Sequence, residues 1–337
     1  MIDLLPSVEQ QQIIDSVVEF FAHVGPGDGS RRIAADTWKE IAGLGWFGLA
    51  LAEEDGGAGC SLVEELLVAR EFGRCVASPA LVAAMLSAHV AAHAGNDTLL
   101  QGILSGELRV GLANPLPGPN RSEPKVHLLD ADGASLVLYW NETGMGLRDR
   151  SAFTSITVVD SLDEAVHLER AVASDSAPSA WVSAQRSPLP QRADLLTCAQ
   201  LVGVAEAAKD DAVAYAKVRE QFGQPIGAFQ ALKHECAEMA VQCEAAYAQT
   251  FFAGLTQNSA LSDAAFQCSA ATLLATEAAL NNARANIQIH GGMGFTSECV
   301  AHRYLKRAHL LSQLGAAAGR HRLLLSAAHD DRLPPDE

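Results

Sequence analysis

The stretch REQFGQPIGAFQ, from Arg219 to Gln230, decides how the rest of the sequence is interpreted. It lies between two long segments of helical periodicity and contains a break at Phe222–Gly223. The pair Pro225–Ile226 is then expected to restart a helix, because proline favours the first helical turn. A turn between two helices needs only the glycine and the proline, so the charged and polar residues clustered with them require a further explanation.

A second stretch, IQIHGGMGF from Ile287 to Phe295, ends a later helical segment and raises the same question. Two glycines directly after a helix can serve as a simple stop, but they also let a ligand approach the backbone closely. We interpret the two stretches together as parts of one candidate binding site.

The composition is that of a folded, helix-rich chain. Of its 337 residues, 49% are hydrophobic and 19% charged, and the net charge of −16 argues against nucleic acid or anionic lipid as the main partner. The seven cysteines are scattered without CxxC spacing, which indicates neither a zinc site nor a disulfide framework. Neither a signal peptide nor a membrane-spanning run is recognisable, so a cytoplasmic location is expected.

The periodicity changes twice along the chain, which predicts three domains in a mainly α fold with a small β insert. Residues 1–106 are expected to form an N-terminal helical domain, 107–187 a reduced middle β domain, and 188–337 a C-terminal four-helix bundle. The bundle helices are predicted at roughly 194–218, 226–257, 262–289 and 299–328.

The middle segment carries period-two runs that predict strands. Lys125–Leu129 and Ala134–Tyr139 are joined by Asp132–Gly133, which predicts a β-hairpin. Ser176–Pro190 contains three prolines and is expected to be a linker. Further strands are predicted at Ser155–Val159 and His167–Val172.

This order of domains, with RxQFGxPIxxFQ at the first bundle turn and QxxGGxGF after the third bundle helix, resembles the acyl-CoA dehydrogenase family. The resemblance covers nearly the whole chain and includes LGWFGLALAEEDGGAG at 44–59, followed by a helix that ends in EFGR. It implies a FAD cofactor. In the family these two motifs reach across a dimer interface and hold the ADP part of a FAD, whose flavin ring lies on the β domain of the neighbouring subunit.

The residues of both motifs suit that role chemically. Arg219 offers a planar fork of donors to a diphosphate, Phe222 can pack on adenine or ribose, and the glutamines offer amide hydrogen bonds. The expected cofactor-binding residues are Arg219, Gln221, Phe222, Gln230, Gln288, Gly291 and Gly292. The simpler alternatives are an ion pair of Arg219 with Glu220 or a helix C-cap by Arg219, and an ordinary helix stop at the two glycines.

The sequence departs from the family at the catalytic base, a glutamate that removes the α-proton of the thioester. The resemblance places one of the two known base positions at Gly315 and the other at Ala193, and neither residue can accept a proton. Asp194 is a candidate substitute under a one-residue slip, although it also suits the role of a helix N-cap. We therefore predict no catalytic residue in this chain beyond that candidate, and no metal site.

The middle domain departs as well. The flavin-contacting segment of the family resembles ALTEPxAGSD, whereas the corresponding Gly111–Pro124 has Asn114–Pro115 in place of Thr-Glu-Pro and lacks the Gly-Ser-Asp. Trp140 falls in a different context from the flavin-strand tryptophan and is expected to serve in packing. The chain is thus predicted to keep the half of the FAD site that serves a neighbour and to have lost the half for its own flavin.

Together these matches and losses lead to the hypothesis of a non-catalytic subunit in a heteromeric acyl-CoA dehydrogenase. The arrangement resembles the α2β2 enzymes of actinobacterial steroid degradation, as in cholesterol catabolism, where a full-length partner carries the catalytic Glu and binds most of the acyl-CoA. The resemblance implies a steroid-derived CoA thioester as substrate. Two alternatives stay open: a self-sufficient homotetramer that uses Asp194 as base, and a structural or regulatory relative that binds no flavin.

Overall fold

The computed structural model describes residues 4–24, 33–116, 124–141 and 143–314. It is mainly α with a β insert, as the sequence predicts. Its contacts divide the chain into two compact units, one of 1–23, 66–76 and 194–337 and the other of 24–65 and 77–193. In the described ranges no helix has the length and hydropathy to cross a membrane. The three-domain boundaries drawn from the sequence stay a prediction.

The N-terminal segment is helical. Its helices are α1 (Val8–Val24), α2 (Ala35–Gly43), α3 (Leu62–Arg74), α4 (Ala80–His93) and α5 (Asp97–Leu104). Serines cap two of these helices: Ser7 Oγ accepts from the Gln10 amide at 3.2 Å, and the Ser61 amide donates to Glu64 Oε2 at 2.8 Å. Both are capping boxes, in which the third residue of the helix returns a hydrogen bond to the cap.

The β insert is one sheet of seven strands in the order β5-β6-β2-β1-β3-β4-β7. The strands are β1 (Val110–Pro115), β2 (Lys125–Leu129), β3 (Leu136–Asn141), β4 (Gly144–Asp149), β5 (Phe153–Val159), β6 (Leu168–Ala173) and β7 (Ala180–Ser183). The predicted hairpin of β2 with β3 is wrong, because β1 lies between them and pairs with both. The Asp132–Gly133 turn lies in the connection from β2 to β3, and that connection crosses over β1. The predicted linker is also wrong, since 176–190 contains β7 and the start of the next helix.

The remaining helices are α6 (Leu189–Val218), α7 (Gln230–Asn258), α8 (Ala264–His290) and α9 (Ala301–Leu311). Asn282 joins three of them, because its side-chain amide donates to the carbonyls of Ala205 and Met239 at 3.3 and 3.0 Å. The last bundle helix was predicted to reach residue 328, but α9 ends at Leu311 and residues 312–314 are not helical. The part beyond 314 lies outside the described residues.

The expected helical restart at Pro225 is wrong. Between α6 and α7 the chain forms a short hairpin of β8 (Glu220–Gln221) and β9 (Gln224–Pro225), then a 3-10 turn at Ile226–Ala228. Helix α7 begins only at Gln230. The 3-10 turn packs so closely that a Cβ on Gly227 would lie 2.9 Å from the Ala216 carbonyl oxygen of α6.

Candidate functional site

The first motif is built around a two-residue hairpin loop. Phe222 and Gly223 have φ angles of 53° and 79°, so both central residues of the turn are left-handed, as in a type I′ turn. Arg219 sits at the foot of this hairpin, where its carbonyl accepts from the Ile226 amide at 2.7 Å. Phe222 is 92% exposed and meets Phe229 edge-on with ring centroids 6.2 Å apart. The hairpin therefore presents an aromatic ring to the surface beside an arginine.

A bulky residue is an unfavourable choice for the position of Phe222. The left-handed conformation costs an L-residue about 1–2 kcal/mol, and Asn or Gly is usual there. Strain of this kind concentrates at functional sites, where the surrounding structure holds it. An exposed phenylalanine that gains no burial in exchange points to a role in binding.

The second motif follows α8. Gly291 has φ 61° and ψ −138°, a region open essentially to glycine alone and different from the left-handed residue of an ordinary helix stop. A Cβ on Gly291 or Gly292 would meet nothing within 4 Å, so this backbone faces open space. At Gly294, by contrast, a Cβ would lie 2.7 Å from the Ile287 carbonyl oxygen, which explains that glycine by packing alone.

The two motifs share one support. A single apolar cluster contains residues from the ends of α6 and α8, from the 3-10 turn and from the start of α7. Its members include Ala212, Ala216, Met239, Ala285 and Ile289, with Tyr215, Ile226, Leu232 and Cys236 packed against them. Ile226 follows the hairpin directly and Ile289 lies two residues before Gly291, so the cluster places the bases of both motifs next to each other.

All seven predicted cofactor residues are exposed: Arg219, Gln221, Phe222, Gln230, Gln288, Gly291 and Gly292. One of the simpler alternatives for Arg219 was an ion pair with Glu220, and this pair does not form within the described ranges. The backbone carbonyl of Glu220 accepts from Gln221 Nε2 at 2.7 Å. The seven residues thus form an exposed, polar half-site with one protruding ring. Their binding roles stay a prediction.

The structure describes Ala193 and Asp194, whereas Gly315, the other predicted base position, lies outside the described residues. Ala193 is buried in α6 and carries only a methyl group. The N-cap interpretation of Asp194 is wrong, because α6 begins at Leu189, five residues earlier. Pro190 in the first helical turn is compatible with that start, since a proline there loses no intrahelical hydrogen bond.

Asp194 instead lines a small pocket among α6, α8 and α9, together with Cys198 and Thr272. Burial raises the pKa of the Cys198 thiol to about 12, so the thiol stays protonated at neutral pH. The Cys198 sulfur lies 3.4 Å from Thr272 Oγ1. The pocket encloses room for no more than about one water molecule. Asp194 itself is half-buried, and a catalytic role for it stays untested.

Sequence reasoning missed four residues beneath the half-site. Asp211 and Tyr215 on α6 face Asn286 and His290 on α8, and the rings of Tyr215 and His290 stack with centroids 4.1 Å apart. His290 is buried at the end of α8. The available signal was the spacing of four within each pair, which places both members on one helix face.

Two domain families, both named for acyl-CoA dehydrogenase, match this chain in sequence. The family described as "Acyl-CoA dehydrogenase, N-terminal domain" matches residues 7–107, and "Acyl-CoA dehydrogenase, C-terminal domain" matches residues 191–328. The Mycobacterium tuberculosis protein "Acyl-CoA dehydrogenase IpdE2" is 30% identical over 92% of this chain and 94% of its own length. This chain belongs to the acyl-CoA dehydrogenase family.

Two further relatives extend the comparison. "Acyl-CoA dehydrogenase FadE34" of Mycobacterium tuberculosis is 34% identical over 85% of this chain, which spans only 41% of that relative's length. Among solved structures, the "Tcur3481-Tcur3483 steroid ACAD" shares 26% identity and superposes with a TM-score of 0.79, covering 96% of this chain and 97% of the other. The fold of this chain is therefore the family fold over almost the whole of the chain.

Members of this family are flavoproteins that use FAD. The half-site fits the ADP part of that cofactor on two observations. The backbone at Gly291 and Gly292 is open to close approach. The ring of Phe222 stays 92% exposed despite its edge contact with Phe229, so burial does not offset its strained backbone. Arg219 would hold the diphosphate, and the amides of Gln221, Gln230 and Gln288 would fix its orientation.

Replacing Phe222 by Asn is expected to separate stability from binding. The left-handed turn suits Asn, so the free energy of unfolding rises by about 1 kcal/mol, while the affinity for FAD falls because the stacking ring is lost. Urea denaturation and FAD titration on one preparation measure both effects. Phe222→Leu is the matched control, since it removes the ring and keeps the strain. An Asn variant with unchanged FAD affinity would contradict a binding role for the ring.

Proposed function

We propose that this chain is a non-catalytic subunit of a heteromeric, FAD-dependent acyl-CoA dehydrogenase. It supplies the ADP-side contacts to a FAD whose reactive ring lies in a full-length partner subunit. The observation that carries the proposal is the exposed half-site, in which Arg219, Phe222 and the open glycine turn share one rigid support. A surface of this kind suits a ligand held jointly with a second chain.

The base is the second argument. Dehydrogenation of an acyl-CoA requires a carboxylate that removes the α-proton, while FAD when bound supplies the hydride acceptor. Ala193 has no proton-accepting side chain, and Asp194 lines a pocket with room for about one water molecule. The partner subunit then provides the catalytic glutamate and most of the acyl-CoA pocket.

Exposed apolar side chains surround the half-site. Val218, Phe222 and Phe295 are 76%, 92% and 77% exposed, and Met293 is 52% exposed. Large aromatic and apolar residues grouped on a surface mark a site of protein association, in which Phe and Met are enriched. We assign this surface to the catalytic subunit, because the residues that would hold the ADP lie within it.

A steroid-derived CoA thioester is the substrate class we propose. The support is one relative, the Tcur3481-Tcur3483 steroid ACAD, whose name joins two gene products and whose fold matches this chain at 26% identity. The choice of substrate class rests on similarity to this relative and not on side chains of this chain. A shared fold alone does not determine the substrate. The acyl group would contact the partner and not the residues described above.

Binding of ADP and FAD to the purified chain tests the half-site. If the chain holds only the ADP part, FAD and ADP bind with comparable affinity, because the flavin ring finds no contacts. A chain with a complete site would bind FAD at least about tenfold more tightly than ADP, a difference of about 1.4 kcal/mol. Isothermal titration with both ligands decides between these results. If neither ligand binds the isolated chain, the FAD content of the complex separates a half-site that needs its partner from a flavin-free relative.

The second arm of the experiment counts the cofactor in the complex. The chain is co-expressed with the products of adjacent genes that encode acyl-CoA dehydrogenases, and the purified complex is analysed for FAD and for each polypeptide. We expect one FAD for each pair of unlike chains. A homo-oligomer of this chain with one FAD per polypeptide and dehydrogenase activity would overturn the proposal.

A further inference from the structure

The ends of α6 and α8 are joined by a polar and aromatic cluster directly beneath the half-site. Asp211 and Tyr215 lie one turn apart on α6, and Asn286 and His290 lie one turn apart on α8. Asn286 and His290 are buried. None of these four side chains belongs to the set that would touch the cofactor, so their arrangement needs an explanation of its own.

The contacts in this cluster form a continuous chain. Asn286 Nδ2 donates to Asp211 Oδ2 at 2.9 Å, and His290 Nδ1 lies 2.9 Å from the Asn286 carbonyl oxygen. A carbonyl can only accept, so Nδ1 carries a proton and Nε2 is the atom directed at Asp211 Oδ2, 3.8 Å away. The Tyr215 ring stacks on His290 with an interplanar angle of 21°.

Both ends of the chain of contacts connect to the half-site through the backbone. The Arg219 amide donates to the Tyr215 carbonyl at 2.9 Å, which closes the last turn of α6 at the base of the hairpin. His290 is the last residue of α8 and precedes Gly291 directly. The stacked pair of rings therefore links the backbone that carries Arg219 to the backbone that carries the glycine turn.

We propose that Tyr215 and His290, braced by Asp211 and Asn286, act as a clamp that fixes the spacing between Arg219 and the Gly291–Gly292 backbone. The inference rests on the proposed function, because the spacing matters only if both motifs contact one diphosphate. Arg219 sits on a hairpin and Gly291 on a helix end, and neither motif alone determines the distance to the other. Preorganisation of the two lowers the conformational cost of binding. Tyr215 and His290 are positioning residues, since they act through the backbone of their neighbours.

Replacement of the Tyr215 ring tests the clamp. In the full-length chain, Tyr215→Leu is expected to weaken FAD binding about tenfold, the scale seen when groups that orient a binding shell are removed. Tyr215→Phe keeps the stacked ring and is expected to retain most of the affinity. Isothermal titration with FAD measures the affinity of each variant. Wild-type affinity in Tyr215→Leu would overturn the proposal.

A double-variant cycle separates positioning from a general loss of structure. If the clamp sets the spacing to Arg219, Tyr215→Leu loses most of its effect in an Arg219→Ala background, because the spacing no longer matters. Full additivity of the two losses would refute the clamp. Should Tyr215→Leu fail to fold, Asp211→Asn carries the same comparison, since it keeps the side-chain volume and removes only the charge that faces His290.

The same measurements distinguish this proposal from the one on which it rests. A complex of this chain with its partner that contains no FAD, together with a wild-type chain that binds neither FAD nor ADP, refutes the proposed function and the clamp together. A wild-type chain that binds both ligands, with a Tyr215→Leu variant that binds equally well, refutes the clamp alone. Both proposals are supported if Tyr215→Leu binds FAD tenfold more weakly while Tyr215→Phe keeps most of the affinity. The effect of Tyr215→Leu should then also disappear in the Arg219→Ala background.

Discussion

Replacement of Arg219 by alanine is expected to lower the affinity for FAD about 100-fold, which corresponds to about 2.7 kcal/mol and lies within the usual range for hydrogen bonds to a charged group. The guanidinium is exposed, and a diphosphate brings two negative charges to its planar donors. The free energy of unfolding should change little, because substitutions at exposed positions seldom alter it. FAD titration and urea denaturation of the same preparation measure the two quantities.

Two control variants make this prediction specific to Arg219. Arg219→Lys keeps the charge but loses the two-donor geometry, so its affinity should fall between those of wild type and Arg219→Ala. Arg284→Ala removes the same charge from an exposed position of α8 and should leave FAD binding unchanged. Equal losses in Arg219→Ala and Arg284→Ala would show that only the overall charge attracts the cofactor.

The sequence predicted the helices well because their signals are local. Ser7 and Ser61 cap their helices, and the apolar periodicity identified the bundle helices as far as Leu311. It failed where the outcome depends on partners distant in the chain. The Asp132–Gly133 turn is visible in the sequence, but nothing near it shows that β1 separates the two strands it connects.

The candidate site shows the same limit at the level of single residues. The motif residues could be identified because their types and spacing resemble a family pattern. The clamp beneath them could not, since the spacing of Asp211 and Tyr215 indicates a shared helix face without indicating what that face meets. Arg70 and Arg74 on α3 give a second case. They pair with Glu206 at 2.7 and 3.1 Å, and only the fold brings that glutamate to them.

A fully buried carboxylate in α3 leads to the largest expected effect on stability. Glu65 Oε1 lies 2.7 Å from His89 Nε2 of α4, and Glu65 Oε2 accepts from Arg192 Nη1 of α6. The same Arg192 nitrogen is 3.3 Å from His89 Nε2. Glu65 has no exposed surface. The carboxylate is thus the group that allows an arginine and a histidine to approach each other in the interior.

Replacement of Glu65 by alanine is expected to lower the free energy of unfolding by about 3–5 kcal/mol, because it leaves a buried cation without its counter-charge. Urea denaturation with linear extrapolation measures this. Glu40→Ala, at an exposed position of α2, is the matched control and should change stability by less than about 0.5 kcal/mol. Glu65→Leu combined with Arg192→Leu removes both charges and should recover most of the loss. A loss in the double variant as large as in Glu65→Ala would attribute the effect to volume and not to charge.

The pH dependence of that loss gives an independent test. Burial raises the pKa of Glu65, but the charges and hydrogen bonds of His89 and Arg192 outweigh it and hold the pKa below the ordinary value of 4.5. The stabilisation by the ionised carboxylate is therefore complete above pH 4.5 and is lost as the pH falls toward the lower pKa of the folded state. Glu65→Gln lacks this titration. The stability difference between wild type and Glu65→Gln should be constant above about pH 5 and should shrink below that by up to about 1.4 kcal/mol per pH unit. The stability difference between wild type and Glu65→Gln could instead be equal at neutral pH and at one pH unit below 4.5. The side chain would then stabilise the fold through its shape and not through its charge.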